Sequence, residues 1–350
     1  MRVRVTALLF VLLLTIGLVL VWSTRSAIDL RTVPAVAADA RADRALSDAD
    51  VARHARTIER SVAYVEDLFQ RPFALPPKIL LFATRDSFSD GLSARFGYSE
   101  SAATFLATNH GGVFDPSTAT IAMSLEALGM NGLAPTLEHE LTHLMVREAT
   151  AAQPLPTWFE EGMATLAERQ PAASRWLEQD ALVARAIAAS GHVSFAEVDT
   201  LETWHATYLR FGDRLYAYAA ETVRLMRGRL EWPGVLKMLS SVSTGQGLAE
   251  AYRSGAGETL AQLEVRLKAA QPAIVTRTRP DGDVEWTLFT GAPRAPSAVT
   301  ISGKSTYVVT FTVTTDDLGF YRGTFGSTAP LGTYVLSAAG ARAEITTRPP

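Results

Sequence analysis

The hydrophobic period of this 350-residue chain changes near Pro272, and that change restricts its fold more than any other feature. Upstream, "DADVARHARTIERSVAYVEDLFQ" places Val51, Ile58, Val62, Val65 and Leu68 at helical steps, the stripe of an amphipathic helix. "PPKILLFAT" reads as a short buried strand, and "GGVFDPSTATIAMS" as a turn at Asp115–Pro116 with a strand over Ala119–Ser124. Further helical stretches include "LEHELTHLMV", a segment from near Thr157, one over Asp213 to Arg227, and a hairpin over Trp232 to Ala270 broken at "STGQG". Downstream, "VEWTLFTG", "AVTISG", "YVVTFTVTT", "FYRGTFG" and "TYVLSAAG" are β-rich runs separated by turn residues. That rhythm predicts a small all-β sandwich over 273–350, behind an α+β domain over 47–272 with a small sheet and a mostly helical second half.

The N-terminus adds a third expectation. Arg2 and Arg4 precede an uncharged apolar run from Val5 to Trp22, whose eighteen residues would span roughly 27 Å as a helix, close to one hydrocarbon thickness. Residues 1–26 are therefore expected to form a signal anchor, a single transmembrane helix, with 27–46 as an Ala-, Arg- and Asp-rich tether. A removed signal peptide cut after "AVA" at Ala35–Ala37 is the alternative. Arg2 and Arg4 favour a cytoplasmic N-terminus and Arg25 and Arg31 weaken that preference, so the rest of the chain is expected outside the cytoplasm.

Composition narrows the chemistry. A net charge of −3 offers no basic footprint for nucleic acid. With no cysteine, disulfides, iron–sulfur clusters and thiolate zinc sites are excluded, and any metal must be held by histidine and carboxylate. His139 and His143 stand four residues apart on the "LEHELTHLMV" helix, only about 40° apart in projection. Leu137, Leu141, Leu144 and Met145 fall roughly opposite, so the helix buries its leucine side and turns both imidazoles to another surface. Two neutral imidazoles so placed can bind one zinc, and Glu140 between them stands beside the metal, able to move a proton to or from water. A catalytic zinc also needs a third protein ligand. Glu161 follows His143 by eighteen residues, in "LPTWFEEGMATLAE". On a helix, Phe159, Met163 and Leu166 form its buried side and Glu161 projects opposite. Glu160 is expected to be solvated, and Gly162 to keep the neighbouring backbone accessible. His54, His110 and His192 stand alone and read as surface or loop residues.

"HELTH" followed by "PTWFEEGMA" resembles the peptidase MA-like gluzincin metallopeptidases, relatives of thermolysin. The matching positions are His139, Glu140 and His143, then Pro156, Trp158, Phe159, Glu161, Gly162 and Ala164, and the likeness covers about residues 47–270. It implies a zincin-like domain in which His139, His143 and Glu161 bind Zn2+ and Glu140 is the general base. In that family a Tyr or His on a later helix steadies the oxyanion. Tyr216 is the best match here, with Tyr208 and His205 as alternatives, and Tyr218 is its neighbour in "RLYAYAAETV". Thr165 stands where thermolysin-like enzymes carry an acid, and could hydrogen-bond near the ligands. A strand ahead of the motif helix would pair with an extended peptide. The absent G-x-M-E-N signature argues against dedicated aminopeptidase action. The C-terminal module is similar to immunoglobulin-like or carboxypeptidase-regulatory-like sandwiches. The expected function is a membrane-anchored, extracytoplasmic zinc metallopeptidase acting on a peptide or protein substrate. The rivals are an inactive scaffold of the same fold and a structural zinc domain.

Overall fold

Alternation of alanine with charge builds the second strand of the chain. The structure, a computed structural model, describes residues 29–128, 132–169, 183–184, 187–188, 193–268, 273–278, 283–290, 292, 294–303, 308–316, 319–325 and 332–347. β1 (Leu30–Thr32) pairs antiparallel with β2 (Asp39–Asp43), where Ala40 and Ala42 are buried between exposed Asp39 and Arg41. From residue 30 onward, the stretch expected as a tether thus carries two strands. Alanine at alternate positions fills a close-packed face, although its weak strand propensity hides the pattern.

α1 (Asp48–Phe69) buries Val51, Ala55, Ile58, Val62, Val65 and Phe69, a stripe of three- and four-residue steps. β3 (Lys78–Phe82) follows, then α2 (Arg85–Phe96), whose capping box joins Thr84 to Ser87, and α3 (Glu100–Asn109). β4 (Gly112–Asp115) and β5 (Thr120–Ser124) complete a five-stranded sheet ordered β1-β2-β3-β5-β4. β2, β3 and β5 run parallel, and β4 is antiparallel to β5 at the edge. The strand expected over Ala119–Ser124 is therefore an interior one, and the edge belongs to β4. Leu80, Phe82, Phe88, Leu92, Ala103, Ala107 and Ala122 form the core between this sheet and α2 and α3.

α4 (Leu133–Ala149) and α5 (Thr157–Arg169) carry the two sequence blocks. α6 (Leu201–Phe211) leads to α7 (Arg214–Ser243), which bends at Glu231 (φ 54°, ψ 173°) two residues before Pro233. Glu231 lies outside the helical region, so the helix expected to end at Arg227 and the one expected from Trp232 are two helical arms separated by a break, as the sequence predicts. α8 (Leu248–Ala256) and α9 (Leu260–Lys268) end the helical part.

β6 (Ala273–Thr278), β7 (Val284–Phe289) and β10 (Phe320–Phe325) make one sheet of the sandwich, ordered β10-β7-β6. β8 (Pro296–Gly303), β9 (Val308–Thr314), β11 (Gly332–Ala338) and β12 (Ala341–Thr347) make the other, ordered β12-β11-β8-β9. Trp286, Leu288, Val299, Ile301, Val313, Leu336 and Ile345 pack between the two.

The chain divides into two compact units, 1–64 with 73–140 and 65–72 with 141–350, the division falling within α4. Among the described residues no helix is long and apolar enough to cross a membrane, which removes the transmembrane helix from the fold class. α1, the longest unbroken helix described, carries Arg53, Arg56, Glu59 and Arg60 along its length. The segment on which the expectation rested, residues 1–26, lies outside the described residues.

Candidate metal centre

α4 is held by the side opposite its histidines. Leu137, Leu141 and Met145 are fully buried and Leu144 nearly so, each contributing about 1.5–3 kcal/mol of burial. Glu138 is buried as well and accepts a hydrogen bond from the Ser61 hydroxyl at 3.2 Å. With that side fixed, His139 and His143 share the half-buried face.

α5 is fixed by its aromatic start. The Thr157 amide donates to the Asp199 carbonyl at 2.8 Å, and Trp158 stacks on Phe195 with ring centres 4.6 Å apart and planes 13° from parallel. Phe159, Met163 and Leu166 are buried as their spacing predicts, and Glu161 is half-buried on the polar side. Gly162 does more than leave backbone accessible. A Cβ there would lie 2.4 Å from the Ala219 carbonyl oxygen and 2.6 Å from Val223 Cγ2, so glycine lets α5 lie directly against α7.

His139, His143 and Glu161 come together, each offering one ligand atom, with these atoms all within 4.8 Å of one another. His143 Nε2 and Glu161 Oε2 are 3.7 Å apart, too far for a hydrogen bond. Two ligands of a tetrahedral ion with bonds of 2.0–2.1 Å stand roughly 3.4 Å apart, so this separation suits a shared cation. The group can bind a metal ion, and its donors, two imidazoles and a carboxylate, fit a borderline divalent cation.

Glu140 is buried on the same helix. A Cβ on Gly112, at the start of β4, would stand 3.1 Å from both Cγ and Oε1 of Glu140 and 2.9 Å from Met123 Sδ. The carboxylate therefore lies against the sheet's edge strand, in space that only glycine leaves. Two more groups belong to this corner, and the sequence reading missed both. Burial raises the Tyr98 phenol above its usual value, and the charges of Asp115 and Glu140 raise it further. Asp115 is buried at the end of β4. Burial alone would raise its carboxyl, but donors from Thr118 and Ser117 outweigh that and hold it below the usual range. The only signal available in advance was the Asp-Pro turn, which marks Asp115 as a turn-former without placing it beside Tyr98.

Glu160 departs from the solvated position expected. It is half-buried, and desolvation pushes its carboxyl up to about 7, the neighbouring Glu161 adding to the rise and Arg147 opposing it. Helix projection put it off the apolar stripe, but what packs over that side is decided by tertiary contacts.

Tyr216, in the first turn of α7, is half-buried and meets Trp204 and Tyr208 edge-on at 5.4 and 5.9 Å. The Tyr208 hydroxyl donates to Asp213 at 3.2 Å, and His205 is exposed. Tyr218 is fully buried against Phe195, its hydroxyl without a hydrogen-bond partner among the described residues, and burial raises its phenol far above the usual value. Thr165, one turn beyond Glu161, is buried with its hydroxyl likewise unpaired among the described residues. His54 is half-buried on α1, and His110 faces the Phe105 ring at 6.2 Å. His192 lies outside the described residues. Compared with known proteins, the chain matches no family model and none of the curated proteins.

Proposed function

We propose that the chain is a zinc metallopeptidase of the gluzincin kind, hydrolysing peptide bonds in a peptide or protein substrate. The observation that carries this reading is the convergence of His139, His143 and Glu161 within ligand range of one another, with Glu140 next in sequence to the first ligand. A structural zinc site closes with four protein ligands, whereas two histidines and a carboxylate are the donor set of sites that keep one position open. Bound there, zinc supplies Lewis-acid chemistry, polarising the scissile carbonyl and acidifying water.

The chain's own residues carry the rest. The Glu140 carboxylate takes a proton from the attacking water and returns it to the departing amine. Its place against Gly112 ties the chemistry to β4, where an extended peptide can add as a further strand and so run past the carboxylate. The Tyr216 hydroxyl is assigned to the developing oxyanion, with Tyr208 and His205 as alternatives. The unpaired Thr165 hydroxyl, one turn from Glu161, is a donor suited to orienting a ligand carboxylate.

Purified protein is expected to retain about one zinc per chain, three protein ligands being enough to hold it. His143→Ala should lose the metal, while Glu140→Gln should keep it and lose hydrolysis of a broad peptide library. Zinc-loaded wild-type protein that cleaves no member of that library would overturn the reading in favour of an inactive scaffold.

A further inference from the structure

β9 is an edge of the four-stranded sandwich sheet, and its own residues carry none of the usual blocks to pairing. Edge strands are usually blunted by charge, proline or a bulge. Two of the other sandwich edges follow that rule, with Arg342 and Glu344 on β12 and Arg322 on β10. β12 and β6 also pack against each other. β9 reads VVTFTVT, without charge or proline, and its register with β8 runs one-to-one from Val308 to Thr314 without a bulge.

We infer that β9 is a self-association surface, on which a second copy of this chain adds its own β9 antiparallel about a two-fold axis at Phe311. Three observations select this occupant. At a two-fold contact each strand meets itself, so a strand bearing one sign of charge would repel its copy, and β9 bears none. The sequence reads almost the same in both directions from Phe311, which sets Thr310 opposite Thr312 and Val309 opposite Val313 of the second copy. The register also keeps the faces matched. Val313 is buried and Phe311 packs on the sandwich core, but Val309 on the same face remains 40% exposed. Pairing brings Val313 of the second copy beside it and extends both sheets into one. The Thr310 hydroxyl, on the opposite face, lies 3.1 Å from the Thr300 hydroxyl across the β8 pairing.

The test uses the full chain, in mild detergent because of the apolar Val5–Trp22 run, by sedimentation velocity at micromolar concentration. Wild-type protein should sediment at twice the 37.8 kDa of one chain. Both 310 and 312 are exposed, so substitution there should spare the sandwich, as circular dichroism would verify. T310K/T312K sets like charges opposite one another across the axis and should give monomer. T310K/T312E sets opposite charges there and should restore the dimer, although both variants lose the same Thr300 contact. A monomeric wild type, a T310K/T312K variant as dimeric as wild type, or a monomeric T310K/T312E variant would each overturn the inference. The second result would place the association elsewhere, the apolar N-terminal run included.

Discussion

Gly112 and Asp115 sit at the two ends of β4 and act in different ways. A methyl group at 112 would have to displace the Glu140 carboxylate or the Met123 sulfur, and the sulfur is already 2.9 Å away. On the proposed reading, Gly112→Ala should therefore leave metal content near wild type while lowering peptide turnover by less than the roughly 100-fold that a misplacement of about 1 Å costs, since the carboxylate need give way by only a fraction of that. Metal analysis beside steady-state kinetics would separate the two effects. Asp115 has a depressed pKa in the folded protein, so its contribution to stability is present above the unfolded value and is lost as pH falls through the lower folded one. The stability gap between wild type and Asp115→Asn should hold steady near neutrality and close below about pH 4, as urea melts across pH would measure. The sequence announced Glu140 through its motif. It could not announce Gly112 as the residue making room for it, because the two are apart in sequence and meet only once the sheet edge and the helix are placed.

At the scale of elements, the contact between α5 and α7 is the one most exposed to a single change. Gly162→Ala would drive a Cβ toward the Ala219 carbonyl, a backbone atom that cannot swing aside. We expect a loss of about 1–3 kcal/mol from overpacking, together with weaker metal binding, because Glu161 is the adjoining residue. Chemical unfolding and a zinc titration on the same variant would check both. Helical stripes were legible wherever large apolar residues repeat, as in α1, α4 and α5. β2 was not, since its inward residues are alanines. The break between the two arms of α7 was legible, because Pro233 fits only the first turn of a helix and the backbone leaves the helical region two residues earlier, at Glu231.

For the whole molecule, the candidate metal site would link ion binding to folding. If the folded chain alone gathers the three ligands, zinc at a hundred times its dissociation constant should raise unfolding stability by about 2.7 kcal/mol, and His143→Ala should show no such gain. Thermal melts with zinc and with chelator would test this. A chelator that left the wild-type melt unchanged would mean that the ligands gather no ion. Association through β9 should appear in the same melts as a concentration dependence absent from T310K/T312K.

What the sequence determined by itself is whatever depends on spacing along one element. Two imidazoles one helical turn apart, a carboxylate on the polar side of a second helix, and the switch from helical to alternating period near Pro272 all follow from fixed backbone geometry. Only the tertiary structure decided which face of each helix is covered, which strand forms the sheet edge, and that Glu161 stands within ligand range of the histidines. Those outcomes depend on contacts between residues distant in sequence, and local periodicity carries no information about which surfaces meet.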